Sequence, residues 1–211
     1  KGKKGRWIKK YRTIKLPVVV KPGLVNNQDM LDFMIKYKPA VVFAANRAFS
    51  YSNTNYAILA LIIEKLSGKD YPTYLKENIF APLGMEHSYV FAQKDVARYQ
   101  PSYYPNNRPY LLEKFDCIYG DKNIYSTVRD LLLWDKALYQ GSYISQTTLQ
   151  LAFLPNSNDR PSIHNYGLGW RMLNQPDQKI IYHNGWWHGN NSVFSRFIKD
   201  TATIIVLGNR F

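Results

Sequence analysis

The 211-residue chain is 45% hydrophobic and 15% aromatic, which excludes a disordered polymer and is enough for a domain with a sizeable core. Its formal charge of +13 is uneven: nine of the 28 basic residues fall in residues 1–21, and the first acid is Asp29, so the remainder carries 19 basic against 15 acidic residues. The single cysteine, Cys117, excludes an internal disulfide, and no apolar run is long enough for a transmembrane segment.

Residues 1–25 read as a basic arm or loop remnant, and residues 26–211 as the folded body. Such an arm suits an anionic surface, but no nucleic-acid-binding motif accompanies it. It is read as a solvated segment, and no nucleic-acid partner is expected.

The first predicted helix spans residues 27–36. Asn26 and Asn27 can cap it, and Met30, Leu31, Phe33, Met34 and Ile35 give it an apolar side. Residues 55–66 form the clearest helix, ended by Ser67-Gly68. It is apolar nearly all round, so it is expected to be buried. A further helix is expected over residues 71–79, with Pro72 in its first turn, then a strand over residues 87–91. Residues 98–126 are rich in Pro, Tyr and Asn and read as a functional rim or lid. Ser126 or Thr127 starts the next helix, which Gly141 stops; Ser145 caps another. From Tyr166 onward the pattern is an antiparallel meander of four strands, with a Gly/Asn/Trp turn over residues 186–191. Helices first and clustered strands last give an α+β fold, a helical lobe against an antiparallel sheet.

Two short patterns carry chemistry. Tyr51-Ser52-Asn53 precedes the apolar helix. A phenol acts as a general base only when a nearby cation lowers its pKa from about 10, and an amide offers both a donor and an acceptor. Tyr-x-Asn recurs at Tyr104/Asn106 and Tyr182/Asn184, so the pattern alone is unspecific, and Tyr51 packed on the helix with Asn53 as its cap is the structural alternative. The second pattern, His183-Asn184-Gly185, follows a strand-like run. A hydrogen-bonding side chain, one residue, then Gly is a way to line a groove in which substrate lies flat. His87, His164 and His188 show no metal-ligand spacing, so neither metal nor cofactor is expected. Trp170, Trp186 and Trp187 can line a pocket or pack as core and rim. Asp121 and Lys122 can border a cleft, with solvated charges as the default.

Taken together, these blocks resemble the serine β-lactamase-like family, in its class C β-lactamase, esterase and D-alanyl-D-alanine peptidase branch. The resemblance rests on residues 49–56 around Tyr51-Ser52-Asn53, Glu64-Lys65-Leu66-Ser67-Gly68, residues 74–85 ending Ala81-Pro82-Leu83-Gly84-Met85, residues 124–131 with Ser126-Thr127, Tyr166-Gly167-Leu168-Gly169-Trp170, and His183-Asn184-Gly185, all in family order. It implies acyl transfer on an ester, amide or peptide. Tyr51 would carry the proton and His183 would support it. Asn53, Asn184 and Gly185 would hold substrate, and the backbone N–H of Trp186 would form half of an oxyanion hole. His183 in place of the more common Lys tilts the expectation away from β-lactams. The resemblance also implies a periplasmic or cell-surface location.

One departure is sharp. The family nucleophile lies in Ser-x-x-Lys, and no serine in the chain has Lys three residues on. Ser126 and Ser157 have Arg129 and Arg160 there, and Arg cannot act as a base. No Gly-x-Ser-x-Gly occurs. The expectation is an N-terminally incomplete domain that is inactive by itself and exposes a sheet edge through which it can form a homo-oligomer. The alternative is a non-catalytic module binding peptides or peptidoglycan.

Overall fold

The structure is a computed structural model and describes residues 23–41, 43–45, 47–157 and 162–210. The expected basic arm lies almost wholly outside these residues.

Among the described residues five α-helices form where the caps indicate. Helix α1 (Asn27–Tyr37) starts with a reciprocal capping box between Asn26 and Asp29. Helix α2 (Asn53–Ser67) is capped by Ser52 and ends at left-handed Gly68. Helix α3 (Tyr71–Leu75) widens into a π-helical turn at Lys76–Phe80, so the helix expected over residues 71–79 is α-helical only in its first half. Helix α4 (Val128–Gln140) runs from its Thr127 cap to left-handed Gly141, and Ser145 caps α5 (Gln146–Ala152).

Strands β1 (Tyr89–Val90) and β2 (Ile124–Tyr125) pair as a small ribbon. The main sheet is an antiparallel meander in the order β3-β4-β5-β6-β7: His164–Tyr166, Arg171–Asn174, Lys179–Trp187, Asn190–Phe197 and Ala202–Gly208. It has five strands rather than the four expected, because His164–Tyr166 pairs with β4. The turn expected over residues 186–191 is also shorter. Strand β5 continues through Trp186 and Trp187, paired to Asn191 and Asn190, and the chain reverses at His188-Gly189.

Helices α4 and α5 cover one face of the sheet. Leu138, Leu149 and Phe153 pack against Met172 and Ile181, each such burial contributing roughly 1.5–3 kcal/mol. A second cluster, Leu75, Phe80, Met85 and Val90, lies under the helical lobe, and Trp134 packs against both. Asp135 fastens α4 to two strands: it accepts from Arg196 Nε at 2.6 Å and from the Thr203 hydroxyl at 2.8 Å.

The expectation that α2 is buried all round is corrected. Only Ala57 and Ala60 are buried, whereas Leu59, Ile62 and Leu66 are 49%, 46% and 82% exposed. The reason is one-sided packing: α1, α3 and the Ile118–Gly120 turn meet one side of α2, and no described element covers the other. The sheet face away from α4 is likewise open, with Trp186, Ile204 and Val206 exposed.

Candidate active site

The site is built where the start of α2 meets the middle of β5. Ser52 caps α2 by accepting from Asn55 N–H at 3.3 Å, so Asn53 is not the cap and stands exposed in the first turn. Tyr51, just before the helix, faces the sheet. Its ring stacks on His183 (centroids 6.2 Å apart) and meets Tyr166 edge-on at 5.9 Å.

His183 is held at both nitrogens. Nδ1 lies 2.9 Å from the Asn184 carbonyl oxygen, which only accepts, so Nδ1 carries the proton. Nε2 lies 3.1 Å from the Tyr166 hydroxyl, and in the neutral ring it accepts from it. Burial pushes the His183 pKa below its ordinary value, and Arg171 adds to the lowering; the Asn184 carbonyl opposes both. Burial and the neighbouring Tyr56 and Tyr51 phenols push the Tyr166 pKa up, so Tyr166 keeps its proton and stays a donor. The Arg171 guanidinium lies 5.5 Å from the Tyr51 ring centre and 5.9 Å from that of Tyr166.

Strand β4 stops pairing with β5 at Arg171 opposite Tyr182, whereas β6 pairs with β5 through Trp187. Beyond Tyr182, β6 is therefore the strand that pairs with β5 among the described residues. Side chains alternate along a strand, so His183, Gly185 and Trp187 share one face while Asn184 and Trp186 take the other. Asn184 is thus not brought beside Tyr51. With Arg171 and Tyr182 it lines a depression of about 420 Å³ that Gly185 also borders. This depression and the tyrosine–histidine cluster meet at Arg171. The Trp186 side chain is 70% exposed and donates to the His188 carbonyl at 3.1 Å.

A Cβ at Gly185 would fall 2.4 Å from Ser192 Oγ, the end of a small rotatable side chain, so the scaffold itself makes a light demand for glycine here. Asp121 and Lys122 are not solvated charges. They pair at 3.2 Å with side chains 9% and 14% exposed, and the Lys122 ammonium lies 4.7 Å from the Trp187 ring centre. Trp170 packs edge-on against Phe153 beside the core.

The sequence by itself assigns no role to Tyr166 or Arg171. Both lie in or just after the Tyr166-Gly167-Leu168-Gly169-Trp170 block, but only the fold shows that they flank His183.

The sequence matches the beta-lactamase family over residues 13–211. The chain belongs to the beta-lactamase family. It is 33% identical over 201 residues to penicillin-binding protein 4* of Bacillus subtilis, covering 87% of this chain and 45% of that protein. It is 30% identical over 124 residues to teichoic acid D-alanine hydrolase of Staphylococcus aureus, covering 56% of this chain and 28% of that one. The fold resembles D-amino acid amidase of Ochrobactrum anthropi, with a TM-score of 0.70 and 23% identity, over 90% of this chain and 57% of that one. The chain therefore spans less than half the length of these two curated relatives.

Proposed function

We infer that this chain carries the proton-transfer and substrate-seating part of a serine acyl-transfer site. The observation that carries this reading is Tyr51 stacked on a neutral His183, itself fixed by Tyr166, at the open edge of β5. In that role Tyr51, beside Arg171, takes the proton of an attacking serine and returns it to the leaving group. His183 orients the phenol. The one-sided edge of β5 accepts an extended acyl group as an added strand, and the Trp186 backbone N–H serves the oxyanion. Asn53, exposed at the start of α2, faces the acyl side of the substrate. Arg171 favours substrates with a carboxylate end. An ester or peptide of a D-amino acid fits this setting, as the name of the teichoic acid D-alanine hydrolase suggests, and so does an extracytoplasmic location.

The nucleophile is assigned to polypeptide outside these 211 residues, because no Ser-x-x-Lys occurs among them. The open apolar side of α2 and the bare sheet face supply surface on which such polypeptide can pack. A second reading, a peptide-binding module without catalysis, is favoured by the same missing motif. Labelling with a fluorophosphonate probe separates the two. The 211-residue chain alone is expected to stay unlabelled. Joined to upstream polypeptide bearing Ser-x-x-Lys it should label, and failure of that joined protein to label favours the binding module.

A further inference from the structure

The open edge of β5 needs a fixed position relative to Tyr51, and β4 stops supporting it at Tyr182. One end of the edge is tied through His183 to Tyr166. The other end meets a buried carboxylate. Asp116, 4% exposed, accepts from Trp187 Nε1 at 2.8 Å through Oδ1. His188 Nε2 lies 3.1 Å from both Asp116 oxygens. Asp116 Oδ2 also accepts from the Glu113 N–H at 2.6 Å, which anchors the carboxylate to its own loop.

Neighbouring contacts converge on the same tip. Tyr110 stacks on His188 at 5.0 Å, and Gly189 N–H donates to Ser102 Oγ at 3.0 Å. A Cβ at Gly189 would strike the Tyr103 backbone at 2.4 Å. His188 has a φ of 53°, uncommon for a residue with a Cβ, and its contact with Asp116 holds it there. The loop of residues 99–123 is thus a clamp on the β5–β6 hairpin rather than a lid over a cleft.

We propose that Asp116 is a positioning residue for the substrate edge: through Trp187 and His188 it sets where residues 183–187 lie relative to Tyr51. Without it the tip beyond Tyr182, the last residue paired with β4, keeps its contacts with Ser102, Tyr103 and Tyr110 but loses its carboxylate anchor, so residues 183–187 are held less firmly. Hydrogen bonds to a buried carboxylate are stronger than neutral ones, which suits a tether that must hold a strand against bending. The function of that edge as a substrate seat rests on the reading given under Proposed function; its placement by Asp116 does not.

The test is amide hydrogen exchange on the full 211-residue chain, resolved by residue. In Asp116→Ala, exchange at the amides of residues 185–187 that bond β6, and at residues 190–192, is expected to rise about ten- to a hundredfold. Residues 179–182 and 195–197 should stay unchanged. Asp116→Asn should fall between, since its amide oxygen still accepts from Trp187, and it remains usable if the alanine variant does not fold. A uniform rise over the whole sheet, or no rise at residues 185–187, overturns the proposal. In parallel, N-acetyl-D-alanyl-D-alanine is titrated into each protein. Weaker binding in Asp116→Ala with partial recovery in Asp116→Asn supports both readings. Local loosening with no binding even by the wild type leaves the positioning role standing and removes the substrate seat.

Discussion

The Tyr166 hydroxyl lies 3.1 Å from His183 Nε2, while Nδ1–H donates to the Asn184 carbonyl. The imidazole is therefore fixed as a neutral ring with a defined tautomer. It presents its face to Tyr51 and not a full positive charge to the groove.

Long-range proton–nitrogen NMR should show His183 protonated at Nδ1, with a pKa below the ordinary value of 6.5. Between the lowered folded pKa and 6.5 the unfolded chain binds more protons, so stability rises with pH through that window and is complete above it. Urea midpoints should fall on acidification below 6.5, and His183→Gln should remove that part of the dependence. A His183 that titrates above 6.5 contradicts the buried neutral ring.

Asp135→Ala should destabilise the protein by about 3–5 kcal/mol, because Arg196, 1% exposed, would keep its charge without a carboxylate. Urea denaturation measures it. A loss under about 1 kcal/mol, the size of an exposed ion pair, would mean that water reaches Arg196.

Two glycines of the same hairpin should behave oppositely. Gly185→Ala needs only a rotation of Ser192 and should cost under about 1 kcal/mol in denaturant midpoints, while narrowing the groove edge. Gly189→Ala must move the Tyr103 backbone and should cost several times more, about 2–3 kcal/mol. Equal costs would contradict the assignment of Gly189 to packing and Gly185 to the groove.

The open apolar surfaces predict self-association. Among the described residues β7 pairs with no strand beyond β6, and Val206 and Ile204 are 53% and 50% exposed. Light scattering should show mass rising with concentration, and Val206→Lys should shift it toward monomer. A concentration-independent monomer removes the homo-oligomer proposal.

Much of the architecture is legible in the sequence because caps act locally. Ser52, Thr127, Ser145, Gly68 and Gly141 mark helix ends by hydrogen bonds within a turn or by a left-handed φ. What the sequence misleads on depends on distant partners. Leu59, Ile62 and Leu66 look like core, yet nothing described covers them. Trp186 and Trp187 look like a turn beside Gly185, yet β6 draws them into a strand. Asp121 and Lys122 look like surface charges but neutralise each other under Trp187. Tyr51 and His183 are recognisable as motif residues. Tyr166 and Arg171 are not, because their roles exist only once β3 and β4 fold back beside β5.

The central claim, that the open edge of β5 beside Tyr51 and His183 seats the substrate, is tested most directly by NMR. N-acetyl-D-alanyl-D-alanine is titrated into the 211-residue chain while backbone amides and tyrosine rings are followed. The account predicts shifts at residues 183–187, at Tyr51 and at the Arg171 guanidinium, and their loss in Arg171→Met. Shifts confined to other surfaces, or none at saturating peptide, would contradict it.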